Sequence, residues 1–133
     1  MRGFFRLLIA AVVLATGFGT PVAAGDLRPD GYWITEGQKA RYYVTSCGNG
    51  QLCAVLLWIR PDLVTERNVK FLNTAIFENL PRQDETRWSG EVTLDGHTVQ
   101  GLVEMVTYDE IRVTGCVFIL CDTVVMSRLP DSG

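Results

Sequence analysis

Apolar and polar residues alternate with a period of two along most of this chain, and turn-forming residues interrupt the alternation at short intervals. In the clearest stretch, Trp88, Val92 and Leu94 fall on one side of a strand, and the dipeptide Asp95-Gly96 follows directly. That dipeptide suits a two-residue hairpin turn whose residues need positive φ. The pattern therefore predicts antiparallel sheet joined by tight turns, with little helix.

The alternation predicts roughly seven to nine short strands. They fall at Tyr32–Thr35, Ala40–Ser46, Leu52–Ile59, Trp88–Leu94, Thr98–Thr107, Ile111–Thr114, Cys116–Leu120 and Thr123–Leu129. We expect Gly115 to kink the chain, and Asp62–Leu80 to be a long loop with one short strand near Phe71–Phe77. Because closing a sheet removes its exposed edges, an all-β, small up-and-down antiparallel barrel is favoured, with a sandwich as the alternative.

The N-terminus has the layout of a secretory signal peptide. Two arginines precede an apolar run from Leu7 to Ala15, and small residues suit cleavage after Ala24. The run is shorter than the roughly 20 residues that span a bilayer, so an uncleaved anchor is the weaker interpretation. We expect residues 1–24 to be removed and residues 25–133 to form a single periplasmic domain without a transmembrane segment. An extracellular location is the alternative.

The charge balance argues against nucleic acid as a partner. The chain carries 12 Lys and Arg against 15 Asp and Glu, a formal net charge of -3. Loss of Arg2 and Arg6 with the signal peptide leaves the domain at -5. Such a surface repels the phosphate backbone on which most nucleic-acid affinity depends.

All four cysteines fall in the predicted mature domain, where an oxidising compartment favours pairing. The short spacings from Cys47 to Cys53 and from Cys116 to Cys121 favour two local disulfides among the three available pairings. A zinc site is a competing interpretation, but zinc ligands usually lie closer together in sequence. The absence of a Cys-x-x-Cys motif gives little support to thiol redox chemistry.

Two residues far apart in sequence favour closure of the barrel. Trp33 lies in the first predicted strand and Arg128 in the last. The first and last strands of a closed barrel are neighbours, so the guanidinium can stack over the indole and plug one end. Such stacking contributes about 0.5 to 2 kcal/mol, depending on burial. The alternative is that Trp33 is an ordinary core residue and Arg128 is solvated.

Several motifs together resemble one bacterial family. They are Gly31-Tyr32-Trp33, the cysteine-flanked turn Val44–Cys53, the apolar strand that continues to Trp58, Trp88-Ser89-Gly90 before Asp95-Gly96, Gly115-Cys116-Val117 with Leu120-Cys121, and Arg128. They are similar to the exported family catalogued as domain of unknown function 2147, over almost the whole mature chain. The resemblance implies a lipocalin-like or calycin-like barrel in the envelope of Gram-negative bacteria. The resemblance is to a divergent member, because two Pro-containing loops are degenerate and Met126 stands where relatives usually carry a Trp.

No catalytic residue is predicted. His97 is the only histidine and directly follows the hairpin turn, where side chains are usually exposed. No nucleophile-elbow, P-loop or dinucleotide motif is present. Glu104 lies within an otherwise apolar strand, where burial would suit it to acid chemistry or to orienting a ligand, and a solvent-facing stripe is the alternative. We therefore expect a protein that is not an enzyme and uses no cofactor and no metal.

One face of the central hairpin is the predicted lining of a ligand cavity. It consists of Trp88, Val92, Val99, Val103 and Met105, with Glu104 as a polar group. An eight-stranded barrel is just wide enough to be filled by its own side chains or to hold one small ligand. A filled core built from the same residues is therefore the alternative.

Two non-enzymatic functions follow from these expectations. The first is binding of a small apolar or amphipathic ligand. The second is an envelope interaction module with a filled barrel, whose Asp62–Arg87 loop contacts a protein partner or the membrane surface. Exposure of Phe71, Ile76 and Phe77 would favour the second, because large apolar patches usually mark contact sites.

Overall fold

Eight antiparallel strands make up almost all of the regular structure in the computed structural model, which describes residues 27–94 and 96–130. The strands are β1 Gly31–Thr35, β2 Ala40–Ser46, β3 Leu52–Ile59, β4 Ala75–Leu80, β5 Arg87–Leu94, β6 His97–Thr107, β7 Glu110–Val117 and β8 Leu120–Arg128. Three single turns of 3₁₀-helix lie at Glu36–Gln38, Pro61–Leu63 and Val69–Phe71. The predicted signal peptide, residues 1–24, lies outside the described residues.

The strands form one sheet in the order β4-β3-β2-β1-β8-β7-β6-β5. The first and last strands pair, with Trp33 opposite Arg128 and Thr35 opposite Met126. The two edges of this sheet, β4 and β5, meet through a hydrogen bond in which the amide of Ser89 donates to the carbonyl of Pro81 at 3.0 Å. The predicted all-β, up-and-down antiparallel barrel is confirmed, with closure nearly complete.

Because successive strands run in opposite directions, their connections gather at two ends of the barrel. The β2–β3, β4–β5 and β6–β7 turns and the entry to β1 lie at one end, which we call the closed end. The β1–β2, β3–β4, β5–β6 and β7–β8 connections lie at the other, which we call the open end. The longest connection, residues 60–74 between β3 and β4, belongs to the open end.

The apolar core lies inside the barrel and draws side chains from every strand. Its fully buried large members are Trp33, Leu52, Leu80, Ile111, Met126, Val92, Val103 and Val113. These residues alternate with exposed or half-buried neighbours along each strand, as the period-two pattern requires. Burial of a side chain of this size stabilises the fold by about 1.5–3 kcal/mol.

Three glycines lie side by side across β5, β6 and β7. Gly90 faces Gly101, and Gly101 faces Gly115. A Cβ atom on Gly101 would clash with the methyl groups of Val92, and one on Gly115 would lie 2.8 Å from Cγ2 of Val99. The predicted kink at Gly115 is wrong, since β7 runs through it and the missing side chain instead admits a neighbouring valine.

The largest differences from the predicted strands lie at two places. The predicted strand Cys116–Leu120 is divided between β7 and β8 by a two-residue turn at Phe118 and Ile119. The strand expected near Phe71–Phe77 is β4, Ala75–Leu80, preceded by a 3₁₀ turn. In the first case the run of apolar residues concealed a hairpin tip, because hydrophobicity alone carries no turn signal.

The predicted disulfide pairing is confirmed. Cys47 and Cys53 join across the β2–β3 turn with their Cα atoms 5.9 Å apart, and Cys116 and Cys121 join across the β7–β8 hairpin at 4.0 Å. Both bridges are local, so each closes one turn rather than linking distant strands. No helix within the described residues has the length and apolar character needed to cross a membrane.

Candidate functional site

The closed end of the barrel is sealed by Arg128. Its guanidinium carbon lies 4.5 Å from the centre of the Trp33 ring and 4.0 Å from that of Tyr108. The same group donates hydrogen bonds to the backbone carbonyls of Asp30 at 2.8 Å, Arg28 at 2.5 Å and Tyr108 at 2.8 Å. One side chain therefore ties together the N-terminal entry, the β6–β7 turn and the core beneath them.

Two tryptophans complete this seal. The indole Nε1 of Trp33, which is fully buried, donates to the carbonyl of Pro29 at 2.8 Å. Trp88 Nε1 donates to the carbonyl of Gly50 at 2.8 Å, and the Arg82 guanidinium lies 5.4 Å from the Trp88 ring. Each buried indole N–H thus has a partner, as burial of that group requires.

The open end has the opposite character, because a cavity of ≈ 1250 Å³ opens there. Its apolar lining includes Tyr42, Leu56, Ile59, Phe71, Leu94 and Val124. Drug-sized ligands usually occupy roughly 300–1,000 Å³, so the volume is sufficient for a small molecule or a flexible apolar chain. The mouth faces solvent, which gives a ligand a direct route into the barrel.

The 60–74 loop forms one wall of this cavity and is held by its own hydrogen bonds. The amide of Asn73 donates to the carbonyl of Leu56 at 2.6 Å, and the amide of Leu56 donates to that of Thr74 at 3.1 Å. Asn68 Nδ2 donates to the carbonyl of Leu63 at 2.9 Å. These bonds turn Phe71 toward the core, where it packs half-buried against the buried residues.

An ion pair fixes the start of the loop. Arg60 Nε donates to Asp62 Oδ1 at 2.7 Å, and Arg60 Nη1 donates to the carbonyl of Gly37 at 2.8 Å. The hydrogen bond from Arg60 lowers the pKa of Asp62. The start of the loop is thereby joined to the neighbouring β1–β2 turn.

The mouth of the cavity is charged, although its interior is apolar. Glu36, Lys39, Glu66, Arg67 and Lys70 all lie around it. Acidic and basic groups are nearly balanced there, so the rim suits a polar or zwitterionic head group more than a single strong charge. An apolar interior below a charged rim is the pattern expected for an amphipathic ligand.

The cavity wall is shorter between β1 and β8, because β8 extends beyond the end of β1. Pairing between β1 and β8 ends at Thr35 and Met126, whereas β8 begins at Leu120. Beyond Thr35 the short turn Glu36–Gln38 replaces the strand and contacts β8. Residues Thr123–Val125 of β8 line the cavity at this gap.

The residues predicted to line a cavity occupy a different part of the barrel. Trp88, Val92, Val103 and Met105 are buried, and Val99 packs half-buried against them. Their inward direction is as expected, but they fill the barrel below the cavity, which is lined by another set of residues. The adjacent glycines Gly101 and Gly115 explain why these side chains fill the barrel, because they let Val92 and Val99 approach the neighbouring strands closely.

The polar residues singled out from the sequence lie away from the cavity lining. Glu104 is half-buried on the outer face of β6, where Arg87 and Arg112 stand opposite it on the flanking strands. That position corresponds to the alternative of an outward-facing stripe. His97 is exposed at the start of β6. Within the described part of the chain, no three His, Cys, Asp or Glu side chains cluster so as to hold a metal ion.

The apolar side chains whose exposure would favour an interaction module are turned inward. Ile76 and Phe77 are buried, and Phe71 is half-buried.

Sequence reasoning missed two groups at the open end. The first is the charged rim, whose members are divided between the β1–β2 and β3–β4 connections. The second is the tip of the β7–β8 hairpin, Val117–Leu120, whose four apolar side chains are all exposed.

Together these features define a small antiparallel β-barrel with one end sealed by an arginine–aromatic cluster and the other open to an apolar cavity. Residues 31–128 match the family model described as "Uncharacterized protein conserved in bacteria (DUF2147)", and the chain belongs to that family. A search of curated proteins and a search of solved structures each found no match.

Proposed function

We propose that this protein is an exported, non-enzymatic binding protein of lipocalin-like type that holds one small amphipathic molecule at the open end of its barrel. In this proposal residues 1–24 act as a cleaved signal peptide and the domain works in the periplasm. The two disulfides fit an oxidising compartment.

The asymmetry of the barrel carries this proposal. Arg128, Trp33 and Tyr108 close one end with stacked rings and hydrogen bonds, while the other end keeps a cavity of ≈ 1250 Å³. A barrel that served only as a stable scaffold gains nothing from leaving apolar surface in contact with water. A one-ended cavity supports reversible entry and release of a ligand.

The lining indicates the chemistry of that ligand. Leu56, Ile59 and Phe71 offer apolar contacts inside, and Lys39 and Lys70 carry positive charge at the mouth. An alkyl or aromatic body would remove apolar surface from water, at about 25 cal/mol per Å² buried. A polar head would remain at the rim, where both signs of charge are available.

The alternative function, an envelope module that binds a protein partner through its Asp62–Arg87 loop, has less support. That proposal depends on exposed apolar side chains in the loop. Ile76 and Phe77 instead pack into the core, and Phe71 faces the cavity. Val64 and Val69 are 42% and 43% exposed, but the other large apolar side chains of the loop line the cavity or pack against the core.

Titration with a long-chain fatty acid that carries an environment-sensitive fluorophore tests the proposed function. We expect saturable binding with one site per chain for the wild type. Ala40→Trp places a large ring at the half-buried mouth and is expected to weaken binding at least about tenfold, the loss that about 1.4 kcal/mol produces. Val106→Trp makes the same change on the exposed outer face of β6 and should bind like the wild type.

Circular dichroism of both variants shows that the barrel is intact. Equal binding by the two Trp variants would contradict the assignment of the cavity as the site. Absence of saturable binding by the wild type would contradict the proposal of an amphipathic ligand of this class.

A further inference from the structure

The tip of the β7–β8 hairpin presents an unusual surface. Val117, Phe118, Ile119 and Leu120 are 53%, 97%, 93% and 76% exposed. Exposed apolar residues are common singly, but four in succession at the end of a hairpin form a contiguous apolar projection. We call Val117–Leu120 the apolar tip.

The backbone conformation at the apolar tip is unfavourable for one of the residues found there. Phe118 has φ of 57°, a left-handed conformation that glycine or asparagine usually adopts at the first position of such turns. An aromatic residue in this conformation is strained, and strain of this kind is concentrated at functional sites. The side chain of Phe118 gains no compensating contact inside the protein, because it is almost completely exposed.

The strands below hold the tip in place. The Cys116–Cys121 disulfide lies directly beneath it and joins its two strands. Below that bridge, the hydroxyls of Thr114 and Thr123 form a hydrogen bond of 3.0 Å across the same pair. The apolar tip is therefore a pre-formed projection rather than a loop that must be ordered on binding.

The tip lies at the open end of the barrel, on the hairpin whose Thr123–Val125 segment lines the cavity. From these features we propose that the apolar tip inserts into the surface of an uncharged lipid bilayer and docks the cavity mouth against it. This inference rests on the proposed function and deepens it, since a docked mouth would exchange an amphipathic ligand directly with the bilayer.

Shape favours a bilayer over a protein partner. A stable protein–protein contact usually needs about 800 Å² and 20–30 residues on each side, arranged as a complementary surface. The apolar tip is convex and contains four residues, which is too few for such a surface. A bilayer needs no matching shape and accepts aromatic and aliphatic side chains at its interface.

Charge favours an uncharged bilayer. The rim at the same end of the barrel carries Glu36 and Glu66 as well as Lys39, Arg67 and Lys70, and Asp122 follows the disulfide on β8. Three acids and three bases give no net attraction to an anionic surface. Binding should therefore depend on apolar insertion and change little with ionic strength.

Flotation of the mature chain with phosphatidylcholine vesicles tests the proposal. We expect the wild type to float with the vesicles in both low and high salt. Phe118→Gly combined with Ile119→Ser removes the apolar tip and supplies a turn sequence suited to the observed φ, so the barrel should stay folded. This double variant should lose at least about tenfold in vesicle binding, as expected when two large apolar side chains no longer insert.

A control and a second readout separate insertion from other effects. Val106→Ser removes an exposed apolar side chain from the outer face of β6 and should float like the wild type. Phe118→Trp should retain binding, and its added indole fluorescence should be quenched by vesicles with brominated acyl chains. The double variant should still bind the fluorescent fatty acid in vesicle-free solution, because the tip does not line the cavity.

Three results would overturn the proposal: a wild type that does not float, a double variant that floats equally well, or a wild-type dimer in light scattering that the double variant abolishes. The last result would assign the tip to an interface between copies. Fatty-acid binding without flotation would refute only the docking proposal, and flotation without fatty-acid binding would refute only the proposed function.

Discussion

Arg128 stands directly opposite Trp33 in the pairing of the last strand with the first, and its guanidinium lies 4.5 Å from the Trp33 ring. The side chain that seals the closed end therefore also lies where the last strand pairs with the first. Stability of the seal and closure of the barrel are therefore coupled through one residue.

Replacing Arg128 with Lys should lower the free energy of unfolding by about 2 kcal/mol. Lysine keeps the charge, but it cannot stack as a plane between two rings while donating to three separate carbonyls. Urea unfolding followed by tryptophan fluorescence measures the change. Arg112→Lys, at an exposed outer-face ion pair with Glu110, is the control and should change stability by less than about 0.5 kcal/mol. Equal effects at the two positions would refute the special role of Arg128.

The close approach of Val92 to Gly101 predicts that the stability loss from a substitution at Gly101 can be partly compensated by a substitution at Val92. Gly101→Ala should destabilise the protein by about 1–3 kcal/mol, because the added methyl overlaps the side chain of Val92. Combining it with Val92→Ala should recover part of that loss, since the methyl groups that cause the overlap are removed. A double-mutant cycle from urea unfolding measures the coupling. Strictly additive effects would show that Gly101 is not required for this close approach.

Each disulfide should contribute stability by restricting the unfolded chain. Because the bridges join residues only 6 and 5 positions apart, the chain-entropy model gives roughly 2 kcal/mol for each. Cys47→Ser with Cys53→Ser, and separately Cys116→Ser with Cys121→Ser, should lower the urea midpoint by similar amounts. A reducing agent should destabilise the wild type and leave a variant with all four substitutions unchanged. A wild type insensitive to reduction would contradict this account.

The closed end also contains an acid-sensitive contact. Arg87 Nε donates to Asp84 Oδ2 at 2.8 Å, and this bond, together with one from the Thr86 amide, lowers the pKa of Asp84. A depressed folded-state pKa contributes stability above the unfolded value near 3.8, and that contribution is lost as pH falls through the folded value. Stability should therefore decline at acid pH.

Asp84→Asn and Arg87→Gln should each make that acidic decline shallower, because both remove the same pair. Urea unfolding between neutral pH and pH 3 measures the slopes. Both groups are exposed, so we expect a small effect. An unchanged slope in both variants would show that the pair does not contribute to the acid sensitivity.

Much of the fold was predictable because strand period and turn chemistry are local properties. Ala40–Ser46 and Leu52–Ile59 have the predicted bounds, and the pairing of the four cysteines follows from short spacing in sequence. The division between filled core and cavity was not predictable in this way. It depends on where the 60–74 loop lies and on how closely Val92 and Val99 approach neighbouring strands, and both are properties of tertiary packing.

The apolar tip could have been found from the sequence. Once Cys116 and Cys121 are paired, the four residues between them must form a tight hairpin turn, and the residues of such a turn are exposed. Reading Val117–Leu120 as part of a strand gave weight to β propensity and ignored this constraint. The charged rim offered no comparable signal, because Glu36 and Lys39 share a cavity mouth with Lys70 only when the β1–β2 and β3–β4 connections come together at the open end.

Native mass spectrometry of the purified protein tests directly whether the open end is a ligand site. We expect a bound small molecule that is lost on denaturation, and a much lower bound fraction in Ala40→Trp than in Val106→Trp. A wild-type chain that carries no small molecule and does not take up the fluorescent fatty acid would contradict the claim that the open end is a ligand site.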